Sequence, residues 1–118
     1  KMVNQICIAG LIQALAEGIH FSSQAGLNTA DVMDVITKGA AQSWQMENRW
    51  KTMLNDKYDF GFAVDLMRKD LDIVLKQAKK MNTELEITDL VNSFYKDIQK
   101  LGGGRWDTSS LLKRIQEK

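Results

Sequence analysis

The first candidate for reactivity lies at the start of the sequence. In KMVNQICIAGLIQALAEGIHF, Lys1, Asn4 and Gln5 crowd the first turn of a run that is otherwise apolar or small. Residues three and four apart share a helix face, so one long cation and two amides point the same way from one helix end. Such a group is either an ordinary solvated terminus or one wall of a polar site. A second candidate is Phe60-Gly61-Phe62 leading into Asp65-Leu66-Met67-Arg68-Lys69-Asp70-Leu71. Asp65 and Lys69 stand four apart, as do Asp72 and Lys76, in the order that favours helical ion pairs. A solvated, salt-bridged face explains the charges. It does not explain Phe62, a large aromatic at the helix entrance. A third group, Gln13, Glu17, His20 and Gln24, shares one face and includes the sole histidine. A polar stripe at a subunit or domain surface accounts for it better than acid–base chemistry.

Several chemistries are excluded. No second histidine or cysteine stands at ligand spacing, so no metal site is expected. Cys7 lies in the apolar run, where a thiol is usually inert. There is no Gly-x-Ser-x-Gly elbow. The triplet Gly102-Gly103-Gly104 lacks the G-x-G-x-x-G spacing and a preceding strand, so it reads as a chain reversal rather than a phosphate cradle. The 16 basic and 15 acidic residues leave a net charge of +1, without the basic footprint that nucleic acid or an anionic membrane requires. One cysteine permits no intrachain disulfide and favours a reducing, cytoplasmic setting. No signal or transit sequence is visible, and a first residue that is Lys, already inside a helical pattern, suggests a domain cut from a longer chain. The stretch 2–21 is long enough to cross a bilayer, but Asn4, Gln5, Gln13, Glu17 and His20 interrupt it. A core helix is the expectation.

The elements that must position these residues read as helix throughout. A length of 118 residues, 44% of them hydrophobic, suits one domain with a real core. After the first helix, Gly26 supplies a stop, and Asn28-Thr29-Ala30-Asp31 has the form of a cap with its acidic partner. A short helix through Val32, Val35 and Ile36 ends by Gly39. Ser43 caps a third carrying Trp44, Met46, Trp50 and Met53. Residues 55–61 have turn chemistry and no period. A long helix runs from about Ala63 to Met81, with Val64, Met67, Leu71, Val74, Leu75 and Ala78 inward. Another covers about Ile87 to Leu101, with Leu90, Val91, Phe94, Tyr95 and Ile98 inward. Asp107 or Thr108 caps a last helix through Leu111, Leu112 and Ile115. Gly10, Ala14 and Gly18 form a stripe of small residues that would let another helix approach the first. No alternating strand and no repeat is found. The fold class is all-α, a bundle of about six helices with one long buried N-terminal helix.

The order of these motifs resembles a known family. Lys-x-x-Asn-Gln opens a long helix, Ala-Gly-Leu-Asn precedes a short one, and Phe-Gly-Phe leads into Lys69-Asp70-Leu71. Gly-Gly-Gly-Arg-Trp-Asp-Thr-Ser-Ser-Leu follows near the end. Together, over essentially all of 1–118, they resemble the C-terminal helical domain of the β-hydroxyacid dehydrogenases, the group of 3-hydroxyisobutyrate dehydrogenase and tartronate semialdehyde reductase. The resemblance implies an N-terminal Rossmann domain that binds most of an NAD or NADP cofactor. It implies that Lys1 is catalytic, that Asn4, Gln5, Phe62 and Asp70 contact a small hydroxyacid or semialdehyde, and that Lys69 reaches the cofactor. Many members carry Asn-Asn where this chain has Asn4-Gln5, and many carry a proline near Glu86-Ile87 where this chain has none. The resemblance also implies a homo-oligomer, dimer or tetramer, for which exposed Trp44, Trp50 and Trp106, with Met46 and Met53, would supply apolar surface. The chemistry is consistent: reducing a carbonyl builds charge on oxygen that a nearby ammonium stabilises and protonates. The competing reading is a non-catalytic helical module for oligomerisation or partner binding.

Overall fold

The expected order of helices is the observed one. A computed structural model describes residues 1–118 and contains six α-helices: α1 Met2–Gln24, α2 Thr29–Ile36, α3 Trp44–Leu54, α4 Val64–Lys80, α5 Glu86–Lys100 and α6 Leu111–Gln116, the last preceded by a 3₁₀ turn at Thr108–Ser110. The only sheet-like pairing is an isolated antiparallel bridge between Ala63 and Asp107. The caps form where side-chain chemistry placed them. Asn28 Oδ1 accepts from the Asp31 amide at 3.1 Å, Ser43 Oγ from the Met46 amide at 3.0 Å, and Asp107 from the Ser109 amide at 3.1 Å.

Helix α1 is the central column, packed against α3, α4, α5 and α6. Ala9, Ile12, Ala16 and Ile19 face inward and are at most 1% exposed, and Val64, Met67 and Leu71 of α4 meet them with Val91, Tyr95 and Ile98 of α5. Burial on one face only makes α1 a core helix, although its length and apolarity would also suit a membrane span.

The other face of α1 is left open by this chain. Cys7 is exposed, not buried. Val3, Leu11 and Phe21 are exposed as well. Within this chain the stripe of small residues meets only Ile87, near Gly10, and Gly18 faces open space. Elsewhere, Leu90 is 50% exposed at the edge of a groove between α1, α5 and α6, while Met46, Trp50 and Met53 belong to the core, leaving Trp44 and Leu54 as the exposed apolar residues of α3. The apolar stripe of α3 is therefore spent on α1 rather than left for a partner. The pairs Asp65–Lys69 and Asp72–Lys76 do not form. Arg68 reaches Asp72 instead, at 3.7 Å, and Asp65 accepts from Gln99 Nε2 at 2.8 Å, because α5 lies alongside and offers the better-placed donor.

The glycine triplet is more than a reversal. Residues 104–106 lie against the entrance of α4, with Val64 donating its amide to the Trp106 carbonyl and Asp65 to that of Gly104, both at 2.8 Å. A Cβ at Gly103 would collide with the Trp106 ring and Ile98, and one at Gly104 with the Asp65 carboxylate, so only glycine permits this approach.

Candidate functional site

Five of the six expected site residues converge where α1 begins and the first turns of α4 pass beneath it. Lys1 Nζ lies 3.2 Å from Asp70 Oδ2 and 3.5 Å from Oδ1. Gln5 Nε2 donates to the same Oδ2 at 2.8 Å, and Asn4 Nδ2 donates to Gln5 Oε1 at 3.0 Å. A relay thus runs Asn4 to Gln5 to Asp70, with the ammonium of Lys1 at its end. The Phe62 ring lies under that ammonium, 5.9 Å from Nζ to the ring centre. Exposure grades the roles these groups can take: the Lys1 side chain is 70% exposed, Asp70 16%, and Gln5 as a residue 5%. Lys1 is free to touch a ligand, whereas Gln5 is walled in with both ends of its amide engaged. Asn4, exposed, keeps its carbonyl and one N–H unused.

A cavity of about 350 Å³ opens beside this relay, lined by Lys1, Met2, Gln5, Lys69, Asp70, Ile73 and Val74. Its volume fits a small organic acid. Lys69 is exposed on the rim and pairs with no carboxylate. A larger cleft of about 720 Å³, around the turn between α4 and α5, is lined by Lys79, Glu84, Glu86 and Asp89, whose charges do not converge on a ligand position.

One buried group escaped the sequence reading beyond its part as a cap. Asp107 is 1% exposed, and its Oδ2 accepts from Arg49 Nε at 3.1 Å and from Ser109 Oγ at 2.5 Å, while Oδ1 accepts from the Phe62 amide at 2.9 Å. The Arg49 guanidinium is sandwiched between the Trp44 and Phe60 rings, each 5.0 Å away. A partner 58 residues away leaves no local signal; the only hint is Gly61, held at φ +71°, where a Cβ would occupy the space of the Asp107 carboxylate. Two tyrosines flank this hub. Burial above all, reinforced by Asp56 and Asp107, pushes the Tyr58 phenol far above its ordinary value; burial and then Asp107 do the same to Tyr95, with the Thr108 side chain working against the shift. Neither phenol is an acid–base group at neutral pH. Of the Gln13–Glu17–His20–Gln24 stripe, only Gln13 and Glu17 are joined, at 2.8 Å, and Gln13 is buried rather than wet. No group of His, Cys, Asp or Glu is arranged to hold a metal.

The chain is similar to known proteins along nearly its whole length. A family model described as "NAD-binding of NADP-dependent 3-hydroxyisobutyrate dehydrogenase" matches residues 1–115. An uncharacterised oxidoreductase of Shewanella frigidimarina is 59% identical over 99% of this chain, and an L-threonate dehydrogenase of Haemophilus influenzae 32% identical over 96%. The crystal structure of a 3-hydroxyisobutyrate dehydrogenase from Salmonella typhimurium superposes with a TM-score of 0.86 at 31% identity, over 96% of this chain. The chain spans about 40% of the length of each of these proteins, 40%, 38% and 40% in turn.

Proposed function

The chain belongs to the 3-hydroxyisobutyrate dehydrogenase family of NAD(P)-dependent oxidoreductases, and from that premise we propose that residues 1–118 form the C-terminal helical domain of an enzyme interconverting a small 3-hydroxyacid and its semialdehyde. The observation that carries this reading is the meeting of Lys1, Gln5 and Asp70, from helices 65 residues apart in sequence, beside a cavity of small-acid size.

The residues fit a share of a dinucleotide site and no more. The chain has no strand and no glycine-rich strand-to-helix turn, so NAD or NADP is bound mainly by a separate Rossmann domain. What this chain offers is the unpaired ammonium of Lys69, suited to an anionic part of the cofactor. The nicotinamide, when bound, supplies or accepts the hydride.

Lys1 is the catalytic residue. Its Nζ donates to the substrate oxygen, stabilising the charge that develops as a carbonyl is reduced, and delivers the proton; in the oxidative direction the neutral amine accepts the alcohol proton. Asp70 holds Lys1 over the cavity, and Gln5 holds Asp70. Gln5 therefore acts on the substrate by positioning rather than by direct grip, which leaves the exposed amide of Asn4 to orient the substrate carboxylate. Phe62 supplies an apolar wall. The protein works in the cytoplasm as a homo-oligomer, dimer or tetramer. Support for the oligomer comes from the groove between α1, α5 and α6, where Gly10, Ala14, Ile87 and Leu90 present small and apolar surface.

The test is Lys1→Ala in the full-length protein carrying this chain, assayed against small hydroxyacids and semialdehydes with both nicotinamides. Turnover should fall by roughly 10²–10⁴ while cofactor binding persists. Near-wild-type turnover would refute the role.

A further inference from the structure

We infer that Asp107 is a positioning residue for the reaction, fixing the Phe62 ring beneath the Lys1 ammonium through a buried clamp with Arg49. The inference rests on the reading of Phe62 as part of the substrate pocket.

Both backbone groups of Phe62 are tied to one short segment. Its amide donates to Asp107 Oδ1 at 2.9 Å, and its carbonyl accepts from the Thr108 amide at 3.0 Å. The Asp107 amide in turn donates to the Tyr58 carbonyl at 2.8 Å, so the whole 58–63 connection is pinned from one side. Phe62 has no helix or strand of its own to hold it. Its ring position under Lys1 is therefore set by where this loop is held.

The clamp uses both oxygens of a carboxylate. Asp107 accepts four hydrogen bonds: from the Phe62 amide, the Ser109 amide, the Ser109 hydroxyl and the Arg49 guanidinium. A carboxylate has two oxygens and about four lone-pair directions, whereas an amide has one oxygen and would turn an N–H toward at least one of these donors. Asn at 107 can serve Phe62 or the Arg49–Ser109 side, not both. Arg49 is equally constrained. Its side chain is 17% exposed, held between two aromatic faces, and reaches the Asn48 carbonyl at 3.2 Å as well as Asp107. The planar guanidinium stacks and donates sideways at once, which an ammonium cannot do. Gly61 completes the device, since any side chain there would fill the space the carboxylate occupies.

Steady-state kinetics of the full-length enzyme with 3-hydroxyisobutyrate, over Asp107→Asn, Arg49→Lys, Phe62→Ala and the two doubles with Phe62→Ala, test the inference. Each clamp variant alone should raise KM for the hydroxyacid about tenfold, the scale of a displaced pocket wall, while Kd for the nicotinamide measured by fluorescence is unchanged. In the Phe62→Ala background the clamp substitutions should add nothing further, because residues acting through one another are not additive. If Asp107→Asn fails to fold by circular dichroism, Arg49→Lys and Ser109→Ala remove single bonds of the clamp and decide the question. Unchanged KM in the folded clamp variants beside a raised KM in Phe62→Ala overturns the clamp alone. Multiplying effects in the doubles also overturn it, marking a purely structural role. An unchanged KM in Phe62→Ala overturns the clamp together with the pocket reading of Phe62.

Discussion

Replacing Asp70 by Asn separates the positioning of Lys1 from the stability of the fold. The amide is nearly isosteric, and its oxygen can still accept from Gln5 Nε2, now 2.8 Å from Asp70 Oδ2. What is lost is charge. A hydrogen bond to a charged acceptor contributes about 1.5–3 kcal/mol and one to a neutral acceptor about 0.5–1.5, so this exchange costs about 1 kcal/mol. The Lys1 ion pair adds little to stability, because a side chain 70% exposed is screened by water; about 0.5 kcal/mol is an upper value. The variant should therefore unfold in urea with a loss of about 1–1.5 kcal/mol. Activity should suffer more. Asp70 is the only carboxylate that fixes Lys1, and re-fixing a freed lysine costs up to about 2 kcal/mol of rotamer entropy, or about thirtyfold in rate. Turnover of full-length Asp70→Asn should fall about ten- to thirtyfold, read by steady-state kinetics beside the urea curves. Unchanged turnover would show that Asp70 does not position the Lys1 amine for the reaction. A stability loss well above about 3 kcal/mol would show that the carboxylate serves the fold instead.

Two further outcomes follow from the buried phenols and the exposed apolar face. The folded pKa values of Tyr58 and Tyr95 lie above the unfolded value of 10.0, so the stabilisation of the neutral phenols is complete below that pH and is lost as pH rises beyond it. Urea denaturation should show stability falling from about pH 10 upward, and Tyr95→Phe should flatten that fall. At neutral pH the same variant should lose about 1 kcal/mol, since the Thr108 carbonyl loses its donor; an undiminished alkaline slope would refute the assignment. The isolated 118-residue chain should fold as a helical unit, self-associate through Val3, Leu11, Ile87 and Leu90, and show no turnover with NADH or NADPH. Sedimentation velocity showing a strictly monomeric, well-folded species would remove the interface argument, and measurable hydride transfer would remove the division of labour between domains.

The order and limits of the helices were legible in the sequence because they depend on neighbours within about four residues. Asn28, Ser43 and Asp107 cap where a short polar side chain reaches an amide two or three positions on, and α4 and α5 begin and end within a residue of their apolar periods. The resemblance of the ordered motifs pointed to Lys1, Asn4, Gln5, Phe62, Lys69 and Asp70, which the fold brings to one end of the molecule. Periodicity could not say how much of each stripe a neighbour would cover. Trp50, Met46 and Met53 are core because α3 lies against α1, while Cys7, Leu11 and Leu90 stay exposed because the neighbouring helices do not close over them. The predicted pairs Asp65–Lys69 and Asp72–Lys76 gave way for the same reason: a helix surface offers several partners at similar cost, and the adjacent α5 settled the choice. The Arg49–Asp107 clamp and the bond from Gln5 to Asp70 depend on groups 58 and 65 residues apart. Local spacing fixes which way a side chain leaves its own helix; only the packing of distant segments decides what stands in front of it.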